Sequence, residues 1–125
     1  MTTLDSNCVV LIVEDDASLS AVLAETLQDE GYTVACAADG LDAITQLRSG
    51  GNRPHVILLD LMMPIMNGET FRAEQQKDPA LAGIPVIVIS AGGDSAEKAV
   101  ELDAAGFLPK PLNISDLLNT VEQHC

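Results

Sequence analysis

Short runs of aliphatic residues alternate along this chain with segments in which apolar residues recur every three or four positions. Five such runs begin near positions 8, 32, 56, 85 and 106, so that successive starts lie 21 to 29 residues apart. A continuous apolar run is typical of a strand buried on both faces, and the regular spacing indicates repeated strand–helix units. We therefore predict an α/β fold with one doubly wound, five-stranded parallel sheet and five helices.

Local signals place the first half of these elements. Cys8 to Val13 is the first strand, and a helical stripe that starts at Leu19 follows it and ends at Gly31. The other positions of that stripe are Val22, Leu23, Thr26 and Leu27. Tyr32 to Ala37 and Val56 to Leu59 are the second and third strands. The helix between them carries the apolar stripe Leu41, Ile44 and Leu47.

The second half of the chain follows the same pattern. The third helix begins near Gly68 and ends before Asp78-Pro79, because a residue that precedes proline avoids the helical region. The fourth strand, the fourth helix and the fifth strand are assigned to Val86 to Ile89, Ser95 to Leu102 and Phe107-Leu108. Asn113 is the predicted N-cap of the last helix, whose apolar positions are Leu117, Leu118 and Val121.

Composition and charge narrow the class of protein. Apolar residues make up 47% of the 125 residues, which is ample for one core, and no linker divides the chain. We predict a single domain over residues 1–125 with its core at about 8–123. The formal net charge of −13 repels phosphate backbones, and few aromatic residues are present for base stacking, so we expect no direct binding of nucleic acid.

The termini and the cysteines carry no targeting or metal signal. The apolar runs are too short to span a bilayer and residues 1–7 lack a basic start, so we expect a cytoplasmic protein without membrane contact. Cys8, Cys36 and Cys125 form no CxxC pair. We predict that Cys8 and Cys36 are small buried packing residues, and nothing here requires an oxidising compartment.

Polar residues stand directly after the predicted strands. They are Glu14-Asp15-Asp16 after the first strand, Asp60 after the third, Ser90 after the fourth and Lys110 after the fifth. In an open parallel sheet, ligands bind outside the carboxyl ends of the strands. We therefore expect the carboxylates, the hydroxyl and the ammonium group to converge at one edge of the sheet.

This convergence favours phosphoryl chemistry. Carboxylates that lie close together repel one another, and a hard cation such as Mg²⁺ relieves the repulsion through oxygen ligands. Asp60 stands between two apolar runs, where an unpartnered acid is costly. Its carboxylate can attack phosphorus, while Lys110 and Ser90 contact the phosphoryl oxygens. Asp16 has a second interpretation, as the cap of the helix that follows it.

The flanking prolines restrict the backbone around the lysine. Pro111 keeps Lys110 out of the helical region, and the pair is compatible with a cis Lys110–Pro111 bond. The segment Pro109-Lys110-Pro111 therefore fixes the direction of the ammonium group.

Four motifs in this order resemble the response-regulator receiver family over about Val9 to Val121. They are LIVEDD, DLMMPIMNG, PVIVISA and AGFLPKP. The resemblance implies a flavodoxin-like fold of the receiver type, in which Asp60 takes a phosphoryl group from a histidine kinase, a histidine phosphotransfer protein or acetyl phosphate. It also implies a Mg²⁺ cofactor and no turnover of a separate substrate, so that the chain is not an enzyme beyond its own phosphorylation and dephosphorylation.

The resemblance assigns the metal site to four residues. Asp15 would hold Mg²⁺ directly, Glu14 through water, and Asp60 and the backbone carbonyl of Met62 would complete the set. Gly68 would allow the turn into the third helix.

The resemblance also implies a conformational switch and a rate of autodephosphorylation. Ser90 and Lys110 would contact the phosphoryl oxygens, and Phe107 would rotate inward as Ser90 moves. Met62 and Gly92 occupy the positions that tune dephosphorylation in the family. Neither side chain can position an attacking water, so we predict slow autodephosphorylation.

Two positions depart from the family pattern. Asp103 stands where a glycine is common, seven positions before the lysine, and aspartate tolerates a left-handed helix end only moderately well. We therefore expect the end of the fourth helix to differ from the family. Gly92-Gly93 makes the preceding loop unusually free, and we expect that loop and the fourth helix to be mobile until phosphorylation.

The resemblance implies a protein partner for the face formed by the fourth helix, the fifth strand and the fifth helix. This face comprises Ser95 to Leu102, Phe107 and Ile114 to Val121. Because the chain starts at Met1 and carries no effector segment, the sequence favours a stand-alone regulator over a domain cut from a larger protein.

Three alternatives stay open from the sequence. The main one is a receiver-like interaction module that needs no phosphate. An aspartate-based phosphatase would place a second acid where this chain has Met62, and a flavin-binding relative would place a hydroxyl- and glycine-rich loop where it has Glu14 to Asp16.

Overall fold

Five strands and five helices alternate along the part of the chain that the computed structural model describes, residues 8–51 and 53–125. The strands are β1 (Val9–Val13), β2 (Thr33–Ala37), β3 (Val56–Asp60), β4 (Val86–Ser90) and β5 (Gly106–Pro109). The helices are α1 (Ala17–Asp29), α2 (Gly40–Arg48), α3 (Gly68–Lys77), α4 (Ser95–Glu101) and α5 (Ile114–Gln123). The predicted alternation is confirmed, close to the expected boundaries.

The structure bears only in part on the predictions about the start of the chain, membrane contact and domain organisation. The polar start at residues 1–7 lies outside the described residues. Within the described part of the chain, no helix combines the length and the apolar composition that crossing a membrane requires. The assignment of residues 1–125 to a single domain stays a prediction.

The strands form one parallel sheet in the order β2-β1-β3-β4-β5. β1, β3 and β4 are buried along their whole length, because helices cover both faces of the sheet. The predicted doubly wound, five-stranded sheet is therefore confirmed. From β1 the chain continues to β2 on one side, and from β3 it continues to β4 on the other side. The crevice for a ligand therefore lies at the carboxyl ends of β1 and β3, where the direction of the connections changes.

Alternate side chains of the strands form two aliphatic cores, one on each face of the sheet. One core packs Ile44, Phe71 and Ala99 of α2, α3 and α4 against the sheet. The other packs Leu23 and Leu117 of α1 and α5 against the opposite face. The helices on both sides therefore fix the strand ends at which the polar residues stand.

Local caps define the helix ends. Asp16 caps α1 by accepting hydrogen bonds from the amides of Ser18 and Leu19 at 3.0 and 3.1 Å. Asn113 caps α5, as predicted, by accepting from an amide of the first turn at 3.0 Å. Gly31 follows α1 with a φ of +97°, a conformation that glycine adopts without penalty.

Two positions assigned to the apolar stripes do not face a core. Val22 is 57% exposed and Leu41 is 49% exposed, so the assignment of both residues to the buried stripes is wrong. In α1 the buried line runs through Ser20, Leu23 and Leu27, which leaves Val22 to one side of the helix. Leu41 lies in the first turn of α2, whose buried residues are Gly40, Ala43 and Ile44.

The cysteines differ from the prediction. Cys8 is buried as expected, but the structure joins it to Cys125 in a disulfide, with Cα atoms 5.7 Å apart. Cys36 is exposed, contrary to the prediction, because it lies on the edge strand β2. The disulfide links residues 117 positions apart and fastens the end of α5 to the start of β1.

Reduction of the disulfide is expected to lower the free energy of unfolding by about 2–4 kcal/mol, because the bond restricts the unfolded chain. Denatured, unreduced protein should react with one equivalent of an alkylating agent, at Cys36, and with three after reduction. The Cys36→Ser control should react with none before reduction. Three equivalents without reduction would contradict the bond.

Candidate functional site

The buried carboxylate of Glu14 forms an ion pair with the partly buried Lys110 at the carboxyl edge of the sheet. Glu14 follows β1, and its amide donates to the carbonyl of Ala37 at 3.0 Å. Lys110 follows β5, and its Nζ lies 2.7 Å from Glu14 Oε1. Glu14 Oε2 accepts from the amide of Asp16 at 3.1 Å. The ends of two strands that are not neighbours in the sheet are thereby joined through side chains.

Asp60 ends β3 and lies beside the same lysine. Its side chain is 5% exposed, and its Oδ2 lies 3.6 Å from Lys110 Nζ. Its Oδ1 accepts from the amide of Met62 at 3.3 Å. A buried acid needs such partners, and a cation and a backbone amide supply them here.

Asp15 completes a group of three carboxylates. One oxygen each of Glu14, Asp15 and Asp60 lies within 4.8 Å of the others. Asp15 is exposed, so the group opens to solvent on that side. Carboxylate oxygens that leave room for water suit Mg²⁺, which keeps several waters when it binds a protein. The predicted acidic residues therefore come together in an arrangement that fits a hard divalent cation.

The group carries more negative charge than Lys110 can balance. Burial raises the pKa of Glu14, and the charge of Asp60 raises it further, against the lowering effect of Lys110 and the Asp16 amide. Burial alone would lower the pKa of Lys110, but its contact with Glu14 and the charges of Asp60 and Glu14 outweigh that effect and raise it. Lys110 is therefore a cation at neutral pH, and the acids around it favour additional positive charge.

Ser90 ends β4, the neighbour of β3 in the sheet. It is 1% exposed, and its hydroxyl oxygen has no hydrogen-bond partner among residues 8–51 and 53–125. Its carbonyl accepts from the amide of Lys110 at 3.0 Å, and the Lys110–Pro111 bond is cis, in line with the sequence. A buried hydroxyl without a partner is able to donate to a ligand oxygen at this edge.

The loop between β3 and α3 is strained at one residue. Ile65 has a φ of +66°, which a β-branched residue rarely adopts, and the amide of Met66 donates across it to the carbonyl of Pro64 at 2.7 Å. Gly68 then packs so closely on β3 that a Cβ would lie 2.5 Å from the carbonyl oxygen of Asp60. The turn into α3 therefore requires glycine at this position.

The other predicted residues lie around this cluster. Asp16 is a helix cap and stands outside the carboxylate group, as its second interpretation held. The side chain of Met62 is 72% exposed, and Gly92 is exposed after β4. Phe107 is half-buried and packs against the core beneath α2, α3 and α4.

α3 carries a buried polar pair that the pattern of apolar residues does not predict. Arg72 and Gln75 are 5% and 0% exposed, and they share the buried face of the helix with Gly68 and Phe71. A search for apolar stripes does not detect this face, because half of it is polar. The signal available was the helical spacing of these four positions, three and four residues apart.

Comparison with known proteins gives a consistent result. A family model described as "Response regulator receiver domain" matches residues 10–122. The DNA-binding response regulator MtrA of Mycobacterium tuberculosis is 33% identical over 114 residues, which are 90% of this chain and 48% of MtrA. The chain thus spans about half the length of such curated relatives.

Solved structures agree with this match. A putative response regulator from Chloroflexus aurantiacus superposes with a TM-score of 0.86 at 27% identity, covering 94% of this chain and 96% of the other. The Mn²⁺-bound form of response regulator Rcp1 gives a TM-score of 0.75 at 32% identity, covering 93% and 90%. Fold, site and comparisons together establish that this chain belongs to the response-regulator receiver domain family.

Proposed function

We propose that this chain is a phosphoacceptor receiver that takes a phosphoryl group on Asp60 and changes the α4–β5–α5 face, which is defined by those three elements. The observation that carries the proposal is the burial of the Asp60 carboxylate between two further acids and the ammonium group of Lys110. A purely structural aspartate needs only one cation or a few amides as partners, and two more carboxylates beside it would destabilise its charged form.

The reaction needs no group on the protein other than those at the sheet edge. A carboxylate oxygen of Asp60 attacks phosphorus, an O–P bond forms, and the P–N bond to a donor histidine breaks. With acetyl phosphate, the P–O bond to acetate breaks instead. Because the transition state spreads charge over three phosphoryl oxygens, positioning and neutralisation do most of the work.

Each remaining residue has one task in this scheme. Lys110 faces the developing charge with its ammonium group, and the unpartnered hydroxyl of Ser90 donates to another phosphoryl oxygen. As Ser90 moves toward that oxygen, the half-buried ring of Phe107 turns into the space behind it. The ring has no hydroxyl, so packing alone stabilises its inward position.

Glu14, Asp15 and Asp60 are the residues that would hold Mg²⁺, with the backbone carbonyl of Met62 as a further ligand. Bound there, Mg²⁺ would offset the charge of the acids and of the phosphoryl oxygens. The Mn²⁺-bound form of Rcp1, a relative of the same fold, supports a divalent cation.

A histidine kinase or a histidine phosphotransfer protein is the proposed donor, and a protein is the proposed target. Val100 and Ile114 on the α4–β5–α5 face are 81% and 44% exposed, and exposed apolar side chains favour protein contact. MtrA is described as a DNA-binding response regulator, and this chain spans only about half of it. That the chain itself binds no nucleic acid, and that it is cytoplasmic, stay predictions from charge and sequence.

Incubation with acetyl phosphate and Mg²⁺ is expected to add one phosphoryl group to the chain, measured by intact mass. Asp60→Asn should abolish the gain, since an amide is a poor nucleophile, while Asp16→Asn should keep it because asparagine also caps α1. If neither acetyl phosphate nor a phosphorylated histidine kinase modifies the protein, the phosphate-independent interaction module becomes the better account.

Mg²⁺ is expected to stabilise the folded chain, by about 1.4 kcal/mol when its concentration is ten times Kd, because it binds only the assembled site. Thermal unfolding with and without Mg²⁺ measures this effect. Asp15→Asn should remove most of the stabilisation, whereas Asp16→Asn, with the same change in charge, should retain it. Equal loss in both variants would indicate nonspecific screening.

Dephosphorylation is expected to be slow, because neither the exposed Met62 nor Gly92 can orient a water toward the phosphoryl group. Purified phosphorylated chain should keep its added mass for minutes or longer. Met62→Asn, which adds a side chain able to orient water, should shorten the lifetime. Loss within seconds in the unaltered chain would refute this prediction.

A further inference from the structure

A positive charge lies buried between α3 and α4, and among the described residues no carboxylate forms an ion pair with it. Arg72 is 5% exposed, and burial lowers the pKa of its guanidinium while the charge of Asp103 partly offsets that effect. A buried cation without an ionic partner is costly unless neutral acceptors surround it. The acceptors found here lie at one particular place, the carboxyl end of α4.

Arg72 makes two of its hydrogen bonds to the backbone that ends α4. Its Nε donates to the carbonyl of Leu102 at 2.9 Å, and its Nη2 donates to the carbonyl of Asp103 at 2.9 Å. The last carbonyls of a helix lack partners within the helix and carry partial negative charge. The guanidinium therefore acts as a cap, supplied to α4 by another helix.

Gln75 extends this contact to the segment before β4. It accepts from Arg72 Nη1 at 2.8 Å and donates to the carbonyls of Leu81 and Ile84 at 2.9 and 3.0 Å. Arg72 is thereby fixed in direction as well as satisfied. Both ends of the β4–α4 segment are joined to α3 through these two side chains.

The capped end has a conformation that needs support. Asp103 has a φ of +55°, so the chain leaves α4 in the left-handed region, where the family commonly has glycine. Aspartate thus takes the left-handed conformation here, and the expectation that the end of α4 differs from the family stays a prediction. The strain at Asp103 is offset by the hydrogen bonds that Arg72 donates to Leu102 and Asp103.

The opposite end of α3 rests on the phosphoacceptor strand. The amide of Gly68 donates to the carbonyl of Leu61 at 3.1 Å, and the close approach of Gly68 to Asp60 leaves no room for a Cβ. α3 is thus a short rigid link, with the Asp60 segment at its start and the end of α4 at its second turn. The amino end of α4 differs, because Asp94 makes no side-chain cap and Gly92-Gly93 precede it.

We propose that Arg72 is a positioning residue that fixes the carboxyl end of α4 to α3, so that α4 responds to Asp60 by pivoting about that end. The pivoting of α4 (the pivot) rests on the proposed function. The attachment of its carboxyl end to α3 through Arg72 (the anchor) does not depend on phosphorylation. The moving part is the amino end of α4 with the two glycines. The fixed part is the turn at Leu102 and Asp103.

Amide hydrogen exchange of the unmodified chain tests the anchor. In Arg72→Met the amides of residues 102–104, which bond within this turn, should exchange about tenfold faster, because hydrogen bonds from a charged donor are lost. Arg72→Lys keeps the charge and one donor group, so its exchange rates should lie between those of the unaltered chain and of Arg72→Met. This variant replaces Arg72→Met in the test if Arg72→Met does not fold. Exchange equal to that of the unaltered chain in both variants would overturn the proposal.

Two further variants separate an anchor from general loosening. Glu69→Gln breaks the exposed ion pair between α3 and Lys98 of α4, 3.4 Å long, and should leave exchange at residues 102–104 unchanged. Asp103→Gly in the Arg72→Met background should restore part of the protection, because glycine adopts the left-handed turn without strain. Failure of this rescue, or loss of protection in Glu69→Gln, would count against a specific role of Arg72.

The pivot is tested by comparing exchange before and after incubation with acetyl phosphate and Mg²⁺. We expect exchange to change at residues 92–98 and to stay the same at 102–104. An equal change at both ends of α4 would overturn the pivot. If the intact mass shows no phosphoryl group, both the proposed function and the pivot are refuted. The exchange of Arg72→Met still decides the anchor in that case.

Discussion

The charge balance around Lys110 is the interaction on which the rest of the structure depends. Glu14 and Asp60 are almost fully buried, Asp15 lies beside them, and Lys110 is the cation that contacts them both, at 2.7 and 3.6 Å. A surplus of buried negative charge is unfavourable in isolation, because the acids repel one another and lose water. The fold maintains it because β1 and β3 are neighbours, so the residues that follow them must meet. A divalent cation at this edge would offset the charge of the acids and of an incoming phosphoryl group.

The same edge shows how the backbone prepares the site for a ligand. Ser90 and Lys110 are joined through a backbone hydrogen bond, while the Ser90 hydroxyl remains without a partner in the described chain. The loop after Asp60 contains the left-handed Ile65, and strain of this kind persists only where the surroundings impose it. α3 begins soon after Ile65, directly against β3 at Gly68. α3 thus links the Asp60 segment, at Gly68, to the carboxyl end of α4, to which Arg72 donates two hydrogen bonds.

Much of this arrangement could be predicted from the sequence, because it rests on local signals. Aliphatic runs place the strands, the Asn113 cap places α5, and the parallel order brings Asp15, Asp60 and Lys110 to one edge. Other features depend on contacts between distant segments. The pairing of Cys8 with Cys125 joins the two ends of the described chain, and no spacing rule relates them. The exposure of Val22 and Leu41 depends on how the helices dock on the sheet.

The polar face of α3 could not be predicted for a different reason. Hydrophobic periodicity assumes that a buried face is apolar, and Arg72 and Gln75 violate that assumption because backbone carbonyls of α4 and the segment before β4 satisfy them. The departure at Asp103 has the same origin. From the sequence alone, an aspartate in place of glycine predicts a different helix end, yet Asp103 takes the left-handed turn and Arg72 from α3 donates a hydrogen bond to its carbonyl.

A crystal structure of the chain grown with Mg²⁺ and beryllium fluoride, a mimic of the acyl phosphate, would test whether Asp60 is a phosphoacceptor beside a bound cation. We expect the beryllium fluoride group to be bonded to a carboxylate oxygen of Asp60, with Lys110 Nζ and Ser90 Oγ in contact with it. We also expect a cation among Glu14, Asp15 and Asp60. If Asp60 stays paired with Lys110 alone at saturating Mg²⁺ and beryllium fluoride, with neither ligand beside it, the chain is not a phosphoacceptor of this kind.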